Sequence, residues 1–301
     1  MKYIALVAAW CVLASSAFAQ VAVAPALPVG IPGVTVAVPP LRNPSSPNCP
    51  HDIDASSCLQ AAINAGDIQL PGGSYIVHGV HVPSDRRIAG VDDFVTLRNP
   101  LTAGSRGHTD STLILNHASN VVISNLTFTG SNDPITPNAQ SVFSAEFVFL
   151  IAVDNGSSGN LIANSRFQGA PGDAAIELYG ANVEQADNEN VIAGNTFSSC
   201  ASYAVAVVDG NDNQIIKNWF KDCSLGSEMD APTAFGVQTS SGNHFSGNVF
   251  QNVNGQPNFL FGATGRHNPF VTGGAAFYGT HYANIVDNNR FIGPIDTLGM
   301  R

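Results

Sequence analysis

Positive charge is scarce in this chain, and that scarcity excludes one class of partner. Twelve Lys and Arg stand against 22 Asp and Glu, a formal net charge of −10 over 301 residues. Loss of residues 1–19 would take away Lys2 and no acid, leaving 11 − 22 = −11. A surface so poor in clustered cations is unsuited to nucleic acid, which is held mainly through its phosphates. Charge of either sign is sparse, at 11% of residues, so helices laced by surface ion pairs are not the main material. Apolar runs long enough to cross a bilayer are also missing. The stretch Ile4–Leu13 is too short, and it lies between Lys2 and the A-x-A sequence Ala17-Phe18-Ala19. Residues 1–19 therefore read as a signal peptide, with Cys11 unsuited to lipidation because bulky Trp10 precedes it. The expected location is secreted, extracellular or periplasmic, with no membrane span.

Beyond the leader, residues 20–50 carry eight prolines among Val, Ala and Gly, which predicts an extended or mobile tether. The remainder, 51–301, is read as one domain. Ser57 and Gln60 have capping-box spacing at the start of a short helix, Gly66 is placed to end it, and Leu59, Ala62 and Ile63 would share its apolar face. Asp67 to Val77 then gives a strand, a Gly-rich turn and a second strand.

What is abundant is repetition. Asn is followed seven residues later by Phe in NLIANSRF (160–167), NVIAGNTF (190–197), NQIIKNWF (213–220), NHFSGNVF (243–250) and NIVDNNRF (284–291), and VVISNLTF keeps the rhythm up to Phe128. A second Asn precedes each Phe by two or three positions: Asn125, Asn164, Asn195, Asn218, Asn248 and Asn289. Short apolar strands are expected ahead of most units, at Phe147–Val153, Ala174–Tyr179, Tyr203–Val208, Ala234–Gln238 and Ala275–Tyr278. The Phe-to-Phe intervals are 39, 30, 23, 30 and 41 residues. The shortest suits a bare coil of three strands, and the others suit coils with inserted loops. Coils stacked about 4.8 Å apart would align the Phe rings in the core, and the Asn at each bend would hydrogen-bond its equivalents above and below. Such a solenoid is stable only collectively, and the short helix would cover its open first coil.

Cysteine usage tests the register. Cys200 and Cys223 each lie three residues after a repeat Phe, so in adjacent coils they would be about 5 Å apart, within disulfide reach. Cys49 and Cys58 then remain to pair.

These units resemble the repeats of the pectate-lyase-like superfamily of right-handed parallel β-helices, including an asparagine ladder. CLQAAINAGDIQLPGGSYIV is similar to the N-terminal cap and first coil of those proteins. The likeness spans roughly residues 57–293 and implies an all-β, right-handed parallel β-helix with a short N-terminal capping helix. It also implies a protein acting on polysaccharide, as lyase, hydrolase or epimerase. The superfamily's catalytic motifs do not carry over: Asp92-Asp93 lies before the repeats, and Asp133-Pro134-Ile135 only partly matches the Asp-Pro-His of epimerases.

Candidate chemistry therefore comes from alternation. In AIELYG, Ile176 and Leu178 point inward and Glu177 outward, and Asp209 ends the matching strand of the next coil. Their Cα atoms would lie about 10–11 Å apart, a separation that lets two carboxylates flank a glycosidic bond. Glu177, Asp209 and Asp173 are the catalytic candidates. Trp219, Tyr179, Arg166 and His244 are the substrate-binding candidates, as sugar-stacking rings and polar contacts. No metal site is expected. The turn Asp209–Asn213 is rich in oxygen ligands but lacks a full calcium loop, so Ca2+ is the single cofactor alternative to none. The expected function is a secreted polysaccharide lyase or glycoside hydrolase working as a monomer. The alternative is a non-catalytic glycan-binding, adhesive or structural rod.

Overall fold

A computed structural model describes residues 35–92, 95–100, 108–130, 148–170, 174–180, 186–200, 203–208, 210–221, 226–230, 242–251 and 285–292. Among the described residues after the helix Ser56–Ala65, short parallel strands return to three walls in rotation, beside a small two-stranded sheet of Asp187–Asn188 and Gly210–Asn211. Wall 1 has eight strands, from Ile68–Leu70 to Ile285–Asp287. Wall 2 has eight, from Gly73–Ile76 to Arg290–Ile292. Wall 3 has six: Val80–His81, Leu113–Asn116, Ile151–Asp154, Ala174–Tyr179, Tyr203–Val208 and Gly226–Asp230. The result is a right-handed parallel β-helix, with the stacked coils that the repeats predicted and the fold that the resemblance implied.

The phenylalanine register holds across all six units, with Phe128, Phe167, Phe197, Phe220, Phe250 and Phe291 paired in succession on wall 2. Successive rings from Phe128 to Phe250 stack with centroids 4.6–5.0 Å apart and planes within 12°. Full burial of each ring is worth about 1.5–3 kcal/mol, and none has a dry neighbour unless its adjacent coils are present. The first two coils continue the same core row with Tyr75 and Leu97, which carry no repeat signature.

Two asparagine ladders run up the column instead of one. Asn160, Asn190, Asn213 and Asn243 line the bend entering wall 1, and Asn195, Asn218, Asn248 and Asn289 line the bend between walls 1 and 2. Asn218 shows why the residue type is demanded. Its Oδ1 accepts from the backbone N–H and the Nδ2 of Asn195, and its own Nδ2 donates to the Ile192 carbonyl and to Asn248 Oδ1. All four amide capacities are used in a fully buried site, where an unmet one would be costly. Asn125 and Asn164 were expected in this ladder but stand one position earlier, at φ 55° and 52°, where later coils place Gly194, Lys217 and Gly247. The left-handed turn and the ladder amide are thus the work of two adjacent residues.

Other expectations change. The Ser57–Gln60 capping box does not form: Asp54 accepts from the N–H and Oγ of Ser56, while the Gln60 amide bonds both backbone groups of His81. Those Ser56 bonds hold the Asp54 carboxyl below its ordinary range. Gly66 is extended, at φ 167°, so it ends the helix without a left-handed turn. Wall 3 receives Gly226–Asp230 at its sixth position, whereas the strands predicted at Ala234–Gln238 and Ala275–Tyr278 lie outside the described residues. Phe147 also lies outside them, and that strand begins at Ile151.

The proline-rich segment is not free over residues 35–50. Val36 exchanges two 2.8 Å hydrogen bonds with the Asn164 side chain, Ser45 pairs with Ile68 in parallel, and Arg42 meets Asp67 at 3.2 Å. Cys49 is joined to Cys58, Cα to Cα 5.6 Å, fastening this strap to the capping helix. Cys200 is also disulfide-bonded; the expected partner, Cys223, lies outside the described residues.

Candidate functional site

Wall 3 alternates as predicted: Ile176 and Leu178 enter the core, and Glu177 and Tyr179 face away from it. The outer face is not a solvated surface, however. Ala152, Ala174 and Ala206 are buried there, and Glu177 is only 5% exposed. A carboxylate in such surroundings needs compensation.

That compensation comes from His108, in the short 3-10 turn His108–Asp110 ahead of strand Leu113–Asn116. Its Nδ1 lies 2.9 Å from Asp154 Oδ1, and its Nε2 lies 3.7 Å from Glu177 Oε2. Asp154 ends the strand beside Glu177, where it pairs with Tyr179, and Glu177 pairs with Ala152. The imidazole edge meets Phe149 at 5.2 Å and Tyr179 at 5.4 Å, both near-perpendicular. Rings on either side and carboxylates at both nitrogens restrict the histidine to one orientation. His108 is the most accessible member, its side chain 25% exposed against 7% for Asp154 and 6% for Glu177.

The cluster opens into a cavity of about 310 Å³, at the lower end of the range of ligand pockets. His81, Asn116, Asn155 and Tyr179 line it beside His108 and Asp154. Asn155 stands at φ 54° and donates from Nδ2 to Asn116 Oδ1 at 2.9 Å, which fixes an amide rim. Behind the cluster, Asp187 is fully buried and accepts the Ser157 N–H at 2.7 Å. Burial chiefly, with help from negatively charged Asp154, pushes its carboxyl up to about 8. The carboxyl therefore keeps its proton far above the ordinary carboxylate range. Among the described residues no three His, Cys, Asp or Glu side chains converge as a metal site.

Of the candidates read from sequence, the structure brings together Glu177 and Tyr179. Asp173 and Asp209 lie outside the described residues, and with Asp209 goes the oxygen-rich turn considered for calcium. Trp219 and Arg166 stand on wall 2. His244 is on wall 1, its Nε2 3.0 Å from Asp287 Oδ1. They share no groove with Glu177. His108 and Asp154 were missed. Asp154 was within reach, because aligning IAVD with IELY puts it level with Tyr179. His108 follows a stretch without repeat character and gives no such signal.

No family model matches the chain, and no curated protein matches it. Among solved structures it is similar to PfbA, a surface adhesin of Streptococcus pneumoniae, at 13% identity and TM-score 0.50, over 83% of this chain and 78% of that one. It is also similar to a polygalacturonase from Erwinia carotovora ssp. carotovora, at 12% identity and TM-score 0.42, over 87% and 98%. An exopolygalacturonase from Thermotoga maritima follows at 10% identity and TM-score 0.43, over 74% and 67%. What this chain shares with PfbA is an architecture, the right-handed parallel β-helix.

Proposed function

We propose that the chain is an exported polysaccharide-cleaving enzyme of the hydrolase type, with His108 as its proton-transfer group. One observation carries the reading: an imidazole held between two buried carboxylates at the mouth of a cavity. Asp154 accepts a hydrogen bond from Nδ1–H and so leaves Nε2, beside Glu177 Oε2, as the exchanging nitrogen, the orienting role a carboxylate has beside a catalytic histidine. A positive charge formed on the ring is compensated within the cluster by Asp154 and Glu177. His108 touches the substrate: its Nε2–H protonates the leaving glycosidic oxygen as the glycosidic C–O bond breaks, water forms the new C–O bond at the anomeric carbon, and that water's proton returns to the imidazole, while Asp154 and Glu177 are positioning residues.

The charge of the site favours hydrolysis over elimination. Glycoside hydrolysis passes through an oxocarbenium-like, positively charged transition state. Two carboxylates around one imidazole make a negative site that stabilises such a cation. Elimination from a uronate builds negative charge beside the sugar carboxylate and needs cations to neutralise it. No Lys or Arg is among the described residues lining the cavity.

The test uses the purified chain on a panel of plant, algal and microbial polysaccharides. New reducing ends without ultraviolet absorbance are expected, and His108→Ala should slow their release by about 10²–10⁴-fold, with a lowered thermal stability that still leaves the column folded at the assay temperature. Absorbing, unsaturated ends would make the protein a lyase. Binding without any product would favour the non-catalytic rod, and a fully active His108→Ala variant would remove the site from consideration.

A further inference from the structure

The scarce cations are not scattered evenly. The eight strands of wall 2 read GSYI, VTLR, TFT, RFQ, TFS, WFK, VFQ and RFI, with no Asp or Glu among them. Four of the chain's twelve basic residues are here: Arg98, Arg166, Lys221 and Arg290. The central residue of each strand from Tyr75 through Phe250 is buried in the core, so residues on either side of it face outward. Arg166, Lys221 and Arg290 are exposed, and Arg98 is half-buried. Among the described residues, the Nε of Arg98 is buried without a hydrogen-bond partner.

Their order up the wall is regular. Counting strands in sheet order, Arg98 is on the second, Arg166 on the fourth, Lys221 on the sixth and Arg290 on the eighth. With strands about 4.8 Å apart, one cation recurs about every 10 Å along the axis. The strands between offer only neutral side chains: Thr127 and Thr129, Thr196 and Ser198, Val249 and Gln251. At the sixth strand Trp219 is half-buried on the same face, with Lys221 Nζ 5.9 Å from its ring centroid. A flat aromatic beside a cation suits a sugar ring that carries, or adjoins, an acidic group.

We propose that wall 2 is a second glycan-binding face, separate from the cavity on wall 3, and that it takes an extended acidic polysaccharide lying along the column. The spacing selects a sparse polyanion, with one charge per span of a disaccharide. Duplex DNA, with one negative charge per about 1.7 Å of axis, presents far more charge than four cations can meet. The net charge of −10 does not forbid the contact. At physiological ionic strength repulsion from other faces is screened beyond about 8 Å, so the local wall decides. Each contact is weak and exposed, and affinity comes from engaging several at once.

Affinity electrophoresis in gels containing hyaluronan, which has one carboxylate per disaccharide, tests this, with dextran as the neutral control and a DNA duplex as the dense polyanion. Hyaluronan is expected to retard the chain, dextran not to, DNA to do so less, and added salt to abolish the effect. The triple variant Arg166→Gln, Lys221→Gln, Arg290→Gln should lose about tenfold in affinity, since its changes are outside the core. Trp219→Ala should weaken binding as well. Equal retardation by dextran, stronger retardation by DNA, or an unaffected triple variant of wild-type thermal stability would overturn the proposal.

Discussion

Replacing Asp187 by asparagine removes a proton equilibrium that the fold has displaced. The carboxyl is buried, accepts the Ser157 amide at 2.7 Å, and is pushed from 3.8 to about 8 by burial and by Asp154. Below the unfolded value of 3.8 both states hold the proton, and the group contributes no pH dependence. Between 3.8 and about 8 the unfolded chain releases a proton that the folded chain keeps. Stability therefore falls as pH rises, by about 1.4 kcal/mol per unit. Above about 8 both states are ionised and the loss is complete, at a ceiling on the order of 5 kcal/mol for a displacement of about four units. Asparagine keeps the acceptor for Ser157 and does not ionise. Urea unfolding of both proteins from about pH 4 to about pH 9 should show the variant gaining on the wild type up to about pH 8, then holding level. A fixed penalty for seating the amide would offset the curves without changing that slope. Parallel curves would mean that Asp187 carries no displaced proton in the folded chain.

Phe197→Ala should cost about 3–5 kcal/mol in urea unfolding, because the ring is stacked between Phe167 and Phe220 and its loss leaves a cavity that two neighbouring coils cannot both fill. A cost under about 1 kcal/mol would mean that the coils collapse around the gap. Asn164→Ala removes both bonds to Val36, so limited proteolysis should begin within residues 35–45 while the column stays intact. Unchanged resistance there would show that the strap is held by its other contacts.

The fold was legible wherever a core position kept one residue type. Phenylalanine is large enough that a coil with anything smaller would leave a void, so the interval between rings reveals the floor height whatever loop is inserted. Where Tyr75 and Leu97 fill the same row, the first two coils disappear from the pattern. Asparagine misled for the opposite reason. It serves both as ladder amide and as left-handed bend, and only stacking tells Asn164 from Asn195. In the site, Glu177 and Tyr179 followed from alternation along a single strand. His108 did not, since it comes to Asp154 across 46 residues by the return of the chain to the same wall. Alternation tells which side of a strand a residue takes, not whether that side is open, and Glu177 is buried on the outer side.

The strap imposes an order of events on synthesis. Val36 emerges early, yet the amide that seats it belongs to Asn164, 128 residues later. Until the floor carrying Asn164 is laid, the stretch at Val36 lacks its seat, although Ser45 and Cys49 are already anchored to the first coil and the capping helix. Its docking is a late closure, available only to a chain whose lower storeys are already standing, so a column stalled partway through assembly would show itself by a loose leading end open to proteases.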